Sequence, residues 1–140
     1  DRYRRVMPFL VDKTAPPERE RRQSAKDRAR YDDTTKCILC AACTTSCPVF
    51  WTDDQYFGPA AIVNAHRFIF DSRDRATEQR LDDLGGDPYR LFRCRTIMNC
   101  AEVCPKGLEP VRAIEAIRLK IAQLPVHQGG LETHPPKSPK

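Results

Sequence analysis

Seven cysteines carry the chemistry that this sequence can perform, and they fall into two groups. The first group reads Cys37-Ile-Leu-Cys40-Ala-Ala-Cys43-Thr-Thr-Ser-Cys47-Pro48, with the spacing C-x2-C-x2-C-x3-C-P. This spacing is typical of loops that wrap an iron-sulfur cluster, because steps of three residues let successive thiolates reach adjacent iron atoms. In such loops the fourth cysteine ligates the other cluster of a pair. The spacing therefore predicts two iron-sulfur clusters.

The second group repeats this pattern with one substitution. It reads Cys94-Arg-Thr-Ile97-Met-Asn-Cys100-Ala-Glu-Val-Cys104-Pro105, so that Ile97 stands where a second cysteine would be. If the last cysteine of each group ligates the cluster of the other group, this crossed assignment uses every cysteine once. One set is then Cys37, Cys40, Cys43 and Cys104. The other set is Cys47, Cys94 and Cys100. Four thiolates suit a 4Fe-4S cluster. Three thiolates beside an aliphatic residue that cannot bind metal suit a 3Fe-4S cluster.

The cysteines could also form disulfides or bind zinc. Disulfides are disfavoured, because the number of cysteines is odd and every cysteine lies close to another along the chain. A zinc-binding module would need four ligands for each ion, and seven cysteines cannot supply two all-thiolate zinc sites. His66 could supply an eighth ligand, although its helical spacing predicts that it is part of a buried helix face.

Composition limits the class of protein. The 140 residues, 40% of them hydrophobic, suffice for one domain. The net charge of +5 favours docking to acidic surfaces but is too small to indicate a nucleic-acid partner. No apolar stretch approaches the ~20 residues that cross a bilayer, so we expect any membrane contact to come through other chains. The sequence also lacks a catalytic triad, a phosphate-binding glycine loop and a carboxylate pair for acid-base catalysis, which favours an electron relay.

The remaining patterns predict an all-α fold. Pro59 and Pro110 each open a stretch with apolar residues at helical spacing, the second ending near Leu124. A more polar helix is predicted over Arg75–Leu84, with Gly85 and Gly86 as a left-handed stop. We expect a charged leader or linker over 1–36, a helical two-cluster domain over 37–124, and a proline-rich tail over 125–140 that is disordered or bound to a partner. The charge-rich stretch 18–33 reads as a solvated helix or linker, or else as a segment that wraps a partner subunit.

Three long stretches carry a family resemblance: CILCAACTTSCPVFW, FGPAAIVNAHRFIFDSRD and FRCRTIMNCAEVCPKGLEPVRAI. Over about residues 1–124 the chain resembles the C-terminal, helical ferredoxin-like domain of the iron-sulfur subunit of succinate dehydrogenase, respiratory complex II. The resemblance implies a non-catalytic electron-relay subunit of an enzyme shared by the tricarboxylic acid cycle and the respiratory chain. A flavoprotein subunit would oxidise succinate at FAD, and electrons would pass through 2Fe-2S, 4Fe-4S and 3Fe-4S clusters to quinone beside membrane-anchor subunits.

In this scheme the chain would hold the last two clusters, and the 2Fe-2S domain would lie on a separate chain or in a missing N-terminal part. We favour the C-terminal half of a split subunit over a fragment, which implies the matrix side of the mitochondrial inner membrane. The cytoplasmic face of a bacterial membrane is the alternative location. The iron-sulfur subunit of quinol:fumarate reductase and a free-standing soluble two-cluster ferredoxin are the alternative functions.

The resemblance also places quinone beside the 3Fe-4S cluster. The residues of this chain at the corresponding positions are Pro48, Val49, Trp51, Thr52, Arg95 and Ile97. Many members of the family have a second tryptophan where this chain has Thr52, and a histidine where it has Arg95. Because Arg95 stays charged, it can donate hydrogen bonds but cannot shuttle protons, so we expect protons to reach quinone through anchor-subunit residues or water. Alternatively, Trp51 is a core aromatic and Arg95 pairs with a carboxylate or haem propionate of an anchor.

Overall fold

A computed structural model describes residues 2–124 of the chain, and this part is helical with no β-strand. Its helices are α1 (Arg2–Arg5), α2 (Ala25–Ala29), α3 (Ala42–Thr45), α4 (Pro48–Thr52), α5 (Pro59–Ile69), α6 (Thr77–Gly85), α7 (Asn99–Glu102) and α8 (Pro110–Ala122), with a 3-10 turn over Asp33–Lys36. The predicted all-α class is confirmed. None of the described helices is long and apolar enough to cross a membrane. The predicted tail, 125–140, lies outside the described residues.

The core is formed mainly where α5 packs against α8. Each helix has proline at its first position, where the missing N–H costs nothing. Ile62 and Ile69 of α5 and Ile114 and Ile117 of α8 are at most 3% exposed. Burial of each such side chain contributes about 1.5–3 kcal/mol relative to exposure. The two helices predicted from proline and apolar spacing are therefore the ones that build the core.

The end of α6 differs from its prediction. Gly86 has φ −69°, so the left-handed stop that we expected from the glycine pair is wrong. The Gly86 N–H instead donates to the Asp82 carbonyl at 2.7 Å and completes a right-handed turn. Gly85 has a packing role, because a Cβ at this position would lie 3.0 Å from Ile121 Cδ1. Glycine here allows α6 to approach α8 closely.

Arg80 fastens the N-terminal segment to α6. Its side chain is fully buried and forms an ion pair with Asp74, which is also fully buried. Arg80 Nη2 donates to the carbonyl oxygens of Met7 at 3.1 Å and Phe9 at 2.8 Å, and Asp74 Oδ2 accepts the Val11 N–H at 3.0 Å. Removing one partner of such a buried pair typically costs about 3–5 kcal/mol. The first residues of the leader are therefore held against the helical core.

Tyr31 anchors the charge-rich stretch. It is 1% exposed, its hydroxyl donates to Gln23 Oε1 at 2.6 Å, and Arg73 Nη2 donates to the Tyr31 hydroxyl oxygen at 3.1 Å. Arg73 is in turn held by an ion pair with Asp71 at 2.8 Å. The only α-helix in residues 18–33 is the five-residue α2, which has no buried residue. Besides Tyr31, two residues of the stretch contact the domain. Gln23 Nε2 donates to Asp71 Oδ1 at 3.1 Å, and the Arg30 guanidinium lies 5.6 Å from the centroid of the Phe70 ring. The division of the chain at residues 36 and 124 stays a prediction.

Candidate metal centres

The two cysteine loops share one backbone conformation. Leu39 and Ala41 in the first loop have φ of 60° and 59°, and Thr96 and Met98, at the equivalent positions of the second, have φ of 57° and 75°. The left-handed conformation costs an L-residue roughly 1–2 kcal/mol, so it persists only where the surroundings impose it. Ala41 and Met98 then cap the short helices α3 and α7. The repeat in the sequence is thus a repeat in the structure, including at Ile97.

The first hollow lies between the first cysteine loop and the start of α8. Its volume is about 380 Å³, including the space at its open mouth. The cysteines that line it are Cys37, Cys40, Cys43 and Cys104. Ala60, Val63 and Pro110 form part of its apolar wall. The fold therefore brings together the four cysteines that the crossed assignment grouped from the sequence.

The second hollow lies between the second cysteine loop and α4. Its volume is about 290 Å³, including its open mouth. The cysteines that line it are Cys47, Cys94 and Cys100. Ile97 lines the hollow as well, at the loop position that Cys40 has in the first repeat. Tyr56, Pro59 and Val111 close the inner side. The three remaining cysteines are therefore also gathered around one space.

The thiols surround these hollows and do not converge on a point. All seven cysteines are free, and within residues 2–124 no three His, Cys, Asp or Glu side chains are grouped closely enough to hold one metal ion. Zinc would need four ligands about 2.0–2.3 Å from a single centre. His66 lines neither hollow; it is buried and lies against Phe70, with their ring centroids 4.4 Å apart. The all-thiol donor sets, four cysteines around one hollow and three around the other, fit an iron-sulfur cluster in each.

Burial raises the pKa of one thiol in each hollow. Burial, with smaller contributions from the neighbouring sulfurs of Cys37, Cys100 and Cys104, raises the pKa of Cys43 to about 11, against the lowering effect of a hydrogen bond with Thr44. Burial also raises the pKa of Cys100, with added contributions from Cys94 and Cys47. Both thiols are therefore protonated at neutral pH in the metal-free chain, and metal binding releases their protons. Cys43 and Cys100 also interact electrostatically, so the two hollows adjoin.

The segment 56–64 forms the wall between the hollows. Tyr56 and Pro59 line the second hollow, whereas Ala60 lines the first. The turn into α5 requires Gly58, which has φ +84° and whose Cβ, if present, would lie 2.8 Å from Thr44 Cγ2. Thr44 Oγ1 also accepts the Ala60 N–H at 3.1 Å, which ties the first cysteine loop to α5. Sequence reasoning did not single out this junction, although the Gly-Pro pair that opens α5 was a usable signal.

Two cysteine sulfurs accept hydrogen bonds, and a buried tyrosine lies beside a third cysteine. Asn64 Nδ2 donates to Cys37 Sγ at 3.8 Å, and the Leu108 N–H donates to Cys104 Sγ at 3.3 Å. Tyr56 lines the second hollow together with Cys94. Tyr56 and Asn64 are 0% and 5% exposed. Neither was identified from the sequence, because both lie far along the chain from the cysteines that they contact.

The residues predicted for the quinone side divide into two groups. Pro48, Arg95 and Ile97 line the second hollow, together with Val49, whereas Trp51 and Thr52 lie further along α4 and do not. The Thr52 hydroxyl donates back to the Pro48 carbonyl oxygen at 3.2 Å.

Trp51 and Arg95 both face outward. Trp51 is 67% exposed, so the alternative that it is a core aromatic is wrong. Its indole N–H already donates to the Thr45 carbonyl oxygen at 2.6 Å. Arg95 is exposed and forms no ion pair within the described part of the chain. Its charge is therefore not neutralised by any carboxylate of residues 2–124.

Comparison with known proteins places these features in context. The model of the 4Fe-4S dicluster domain family matches residues 33–108, which span both cysteine loops. The chain is 51% identical over 114 residues to a succinate dehydrogenase iron-sulfur subunit of Paracoccus denitrificans, covering 81% of this chain and 44% of that protein.

Two further relatives have corresponding names. The succinate dehydrogenase iron-sulfur subunit of Coxiella burnetii is 48% identical over 122 residues, covering 86% of this chain and 52% of that protein. The mitochondrial succinate dehydrogenase [ubiquinone] iron-sulfur subunit 1 of Oryza sativa subsp. japonica is 47% identical over 121 residues, covering 84% and 43%. The chain thus spans about half the length of the curated relatives that it matches.

Proposed function

We propose, because this chain belongs to the 4Fe-4S dicluster domain family, that it is the two-cluster part of the iron-sulfur subunit of a succinate:quinone oxidoreductase. One observation carries the proposal: the fold sorts the cysteines into a set of four and a set of three around adjoining hollows, with Ile97 at the position of the missing ligand. The names of the relatives supply the enzyme.

The ligand assignment follows the two hollows. Cys37, Cys40, Cys43 and Cys104 would hold a 4Fe-4S cluster, and Cys47, Cys94 and Cys100 would hold a 3Fe-4S cluster. Bound clusters of these types supply reversible one-electron transfer at potentials that the protein tunes. Tyr56 and Val111 exclude water from the inner side of the second hollow, being 0% and 4% exposed. Segment 56–64 separates the two sites, which nevertheless remain neighbours. Electron transfer from one cluster to the next requires such proximity.

The partners follow from the same proposal. The chain would receive electrons from a flavoprotein subunit that carries FAD, by way of a 2Fe-2S domain on a separate chain or on a part not included here. It would deliver them to quinone at the contact with membrane-anchor subunits. We place it peripherally on the matrix side of the mitochondrial inner membrane, with the cytoplasmic face of a bacterial membrane as the alternative.

Exposed apolar side chains favour a docked subunit over a free-standing soluble ferredoxin. Trp51, Ile97 and Met98, beside or lining the second hollow, are 67%, 49% and 41% exposed. Large apolar side chains grouped around a functional site are typical of a surface that another molecule covers. The alternative of a quinol:fumarate reductase subunit shares this geometry and differs in the direction of electron flow.

Depletion and rescue would test the proposed function. Membranes from cells depleted of this chain should lose succinate-dependent quinone reduction, whereas NADH-dependent quinone reduction in the same membranes should persist. Re-expressing the chain should restore the lost activity, and re-expressing Cys37→Ser, which lacks one ligand of the first hollow, should not. Unchanged succinate-dependent activity after depletion would refute the proposal.

The quinone end can be tested separately at Arg95. We expect Arg95→Gln to slow quinone reduction severalfold, because a cation beside the second hollow is lost, while succinate oxidation by an artificial dye stays intact. Lys26→Gln, an exposed charge change on α2, is the matched control and should alter neither rate. Equal loss in both assays for Arg95→Gln would mean that Arg95 holds subunits together and has no role at quinone.

A further inference from the structure

Arg118 of α8 contacts the turn that leads into the second cysteine loop. Its Nη2 donates to the carbonyl oxygen of Cys94 at 2.9 Å, and it lies 3.4 Å from the carbonyl oxygen of Leu91 and 3.5 Å from that of Phe92. The Cys94 N–H donates to the Leu91 carbonyl oxygen at 3.4 Å. Both backbone polar groups of Cys94 are therefore held, one within the turn and the other by α8.

The first loop has a different support at the equivalent position. There the Cys37 N–H donates to the Thr34 carbonyl oxygen at 3.3 Å, and the turn belongs to the 3-10 helix Asp33–Lys36. The Thr34 hydroxyl donates to the Tyr31 carbonyl oxygen at 2.7 Å, so local contacts stabilise this turn. Residues 91–94 form no helix, and Arg118 reaches them from 24 residues further along the chain. The turn before Cys94 therefore depends on the docking of α8.

The Arg118 guanidinium also places a positive charge beside the second loop. Arg118 forms no ion pair with a carboxylate within residues 2–124, and its side chain is only partly exposed. A guanidinium stays charged at every pH at which a protein is folded. The guanidinium carbon lies over the Phe92 ring, 5.8 Å from its centroid. A charge without a carboxylate partner is thus held in contact with a cysteine of the set of three.

One face of α8 contributes twice to the second hollow. Val111 lines the hollow, and Arg118 follows about two turns later on the same face of the helix. Arg118 Nε is buried and has no hydrogen-bond partner among the described residues. An unsatisfied buried donor of this kind costs about 1–3 kcal/mol. The contacts of Nη2 with the turn offset this cost, so the position of Arg118 and that of Cys94 are linked.

We propose that Arg118 is a positioning residue of the second centre, the cluster of the second hollow: it fixes Cys94 through the backbone carbonyl and keeps a positive charge beside that ligand. Cys94 lines the second hollow and does not line the first. A reduced cluster carries one more negative charge than an oxidised one, so a nearby cation favours reduction, and most strongly at the shorter distance. This inference rests on the ligand sets of the proposed function.

A redox titration of the intact complex would test the inference. Electron paramagnetic resonance, recorded at poised potentials, follows both centres in one sample. We expect Arg118→Met to lower the midpoint potential of the second centre, with a smaller shift at the first, and to broaden the signal of the second centre because Cys94 is held less firmly. Arg118→Lys keeps the charge and a donor, so it should restore most of the midpoint potential. Arg112→Met is the matched control, because it removes an arginine with an 81% exposed side chain from the same helix, and it should leave the second centre unmoved.

Three results would overturn the inference: an unchanged midpoint potential of the second centre in Arg118→Met, equal shifts at both centres, or an Arg118→Lys variant as altered as Arg118→Met. If Arg118→Met fails to load clusters, Arg118→Gln removes the charge but leaves an amide donor for the Cys94 carbonyl oxygen. Its second centre should still have a lowered midpoint potential, and an unchanged value would equally overturn the inference. A wild-type complex without two distinct cluster signals would instead refute the proposed function.

Discussion

Ile97 decides what kind of centre the second hollow can hold. It lines that hollow, and its neighbours Thr96 and Met98 have the left-handed backbone that Leu39 and Ala41 have in the first loop. The backbone is therefore already shaped to present a ligand at this position, and only the side chain lacks a donor atom. The sequence was sufficient to predict that Ile97 stands at a ligand position, because the ligand spacing of a cysteine loop is local, but it did not predict the left-handed backbone.

Replacing Ile97 tests this directly. We expect Ile97→Cys to supply the fourth thiolate, to convert the proposed 3Fe-4S centre to a 4Fe-4S centre and to lower its potential. Loss of the 3Fe-4S signal from the oxidised complex is the measurement. Ile97→Val, which changes the volume but adds no ligand, should keep that signal. An unchanged spectrum in Ile97→Cys would count against the assignment of this position.

Because His66 is buried, we expect the stability of the folded chain to depend on pH. Burial lowers its pKa to about 4, whereas an unfolded histidine titrates near its usual value of 6.5. Between these values the unfolded chain binds a proton that the folded chain does not, so stability present above about pH 6.5 falls as the pH falls towards 4. The loss is at most about 3 kcal/mol. His66→Phe should flatten the change in denaturation midpoint between pH 7 and 5; an unaltered change would contradict the prediction.

At the scale of helices, the long helices α5 and α8 could be predicted from the sequence, whereas the short helices could not. α5 and α8 were predicted because each combines a first-position proline with several turns of apolar spacing. α3, α4 and α7 have only four or five residues, too few for a periodic pattern to register. Their positions depend on the cysteine loops, and the Tyr56 and Asn64 contacts depend on the docking of α5 between those loops. Contacts of this kind are set by tertiary packing.

At the turn into α5, residue 58 has both a positive φ and little space for a side chain. We expect Gly58→Ala to destabilise the protein by about 1–3 kcal/mol, because alanine meets both an unfavourable φ and the Thr44 methyl group. Gly107→Ala is the matched control: Gly107 also has positive φ, 63°, but its Cβ position has no neighbour within 4 Å. Thermal denaturation should show the larger loss for Gly58→Ala. Equal losses would mean that the close approach to Thr44 contributes nothing.

At the scale of the whole molecule, the features beside the second hollow suit an assembly. Arg95 has no ion pair within the described residues, and Trp51, Ile97 and Met98 are exposed there. The chain also spans only about half the length of its curated relatives. The exposed apolar side chains and Arg95 fit a surface that other chains cover, and they agree with the proposed position between a 2Fe-2S domain and membrane anchors.

The central claim is that one chain holds two clusters of different kinds. It is tested most directly by iron and sulfide analysis of the anaerobically purified complex together with electron paramagnetic resonance. After the iron and sulfide of any 2Fe-2S centre in the complex are subtracted, we expect about seven iron atoms and about eight sulfides per chain. The oxidised complex should show one 3Fe-4S signal, and reduction should reveal one 4Fe-4S centre. Two 4Fe-4S spectra, or bound zinc without sulfide, would contradict the account.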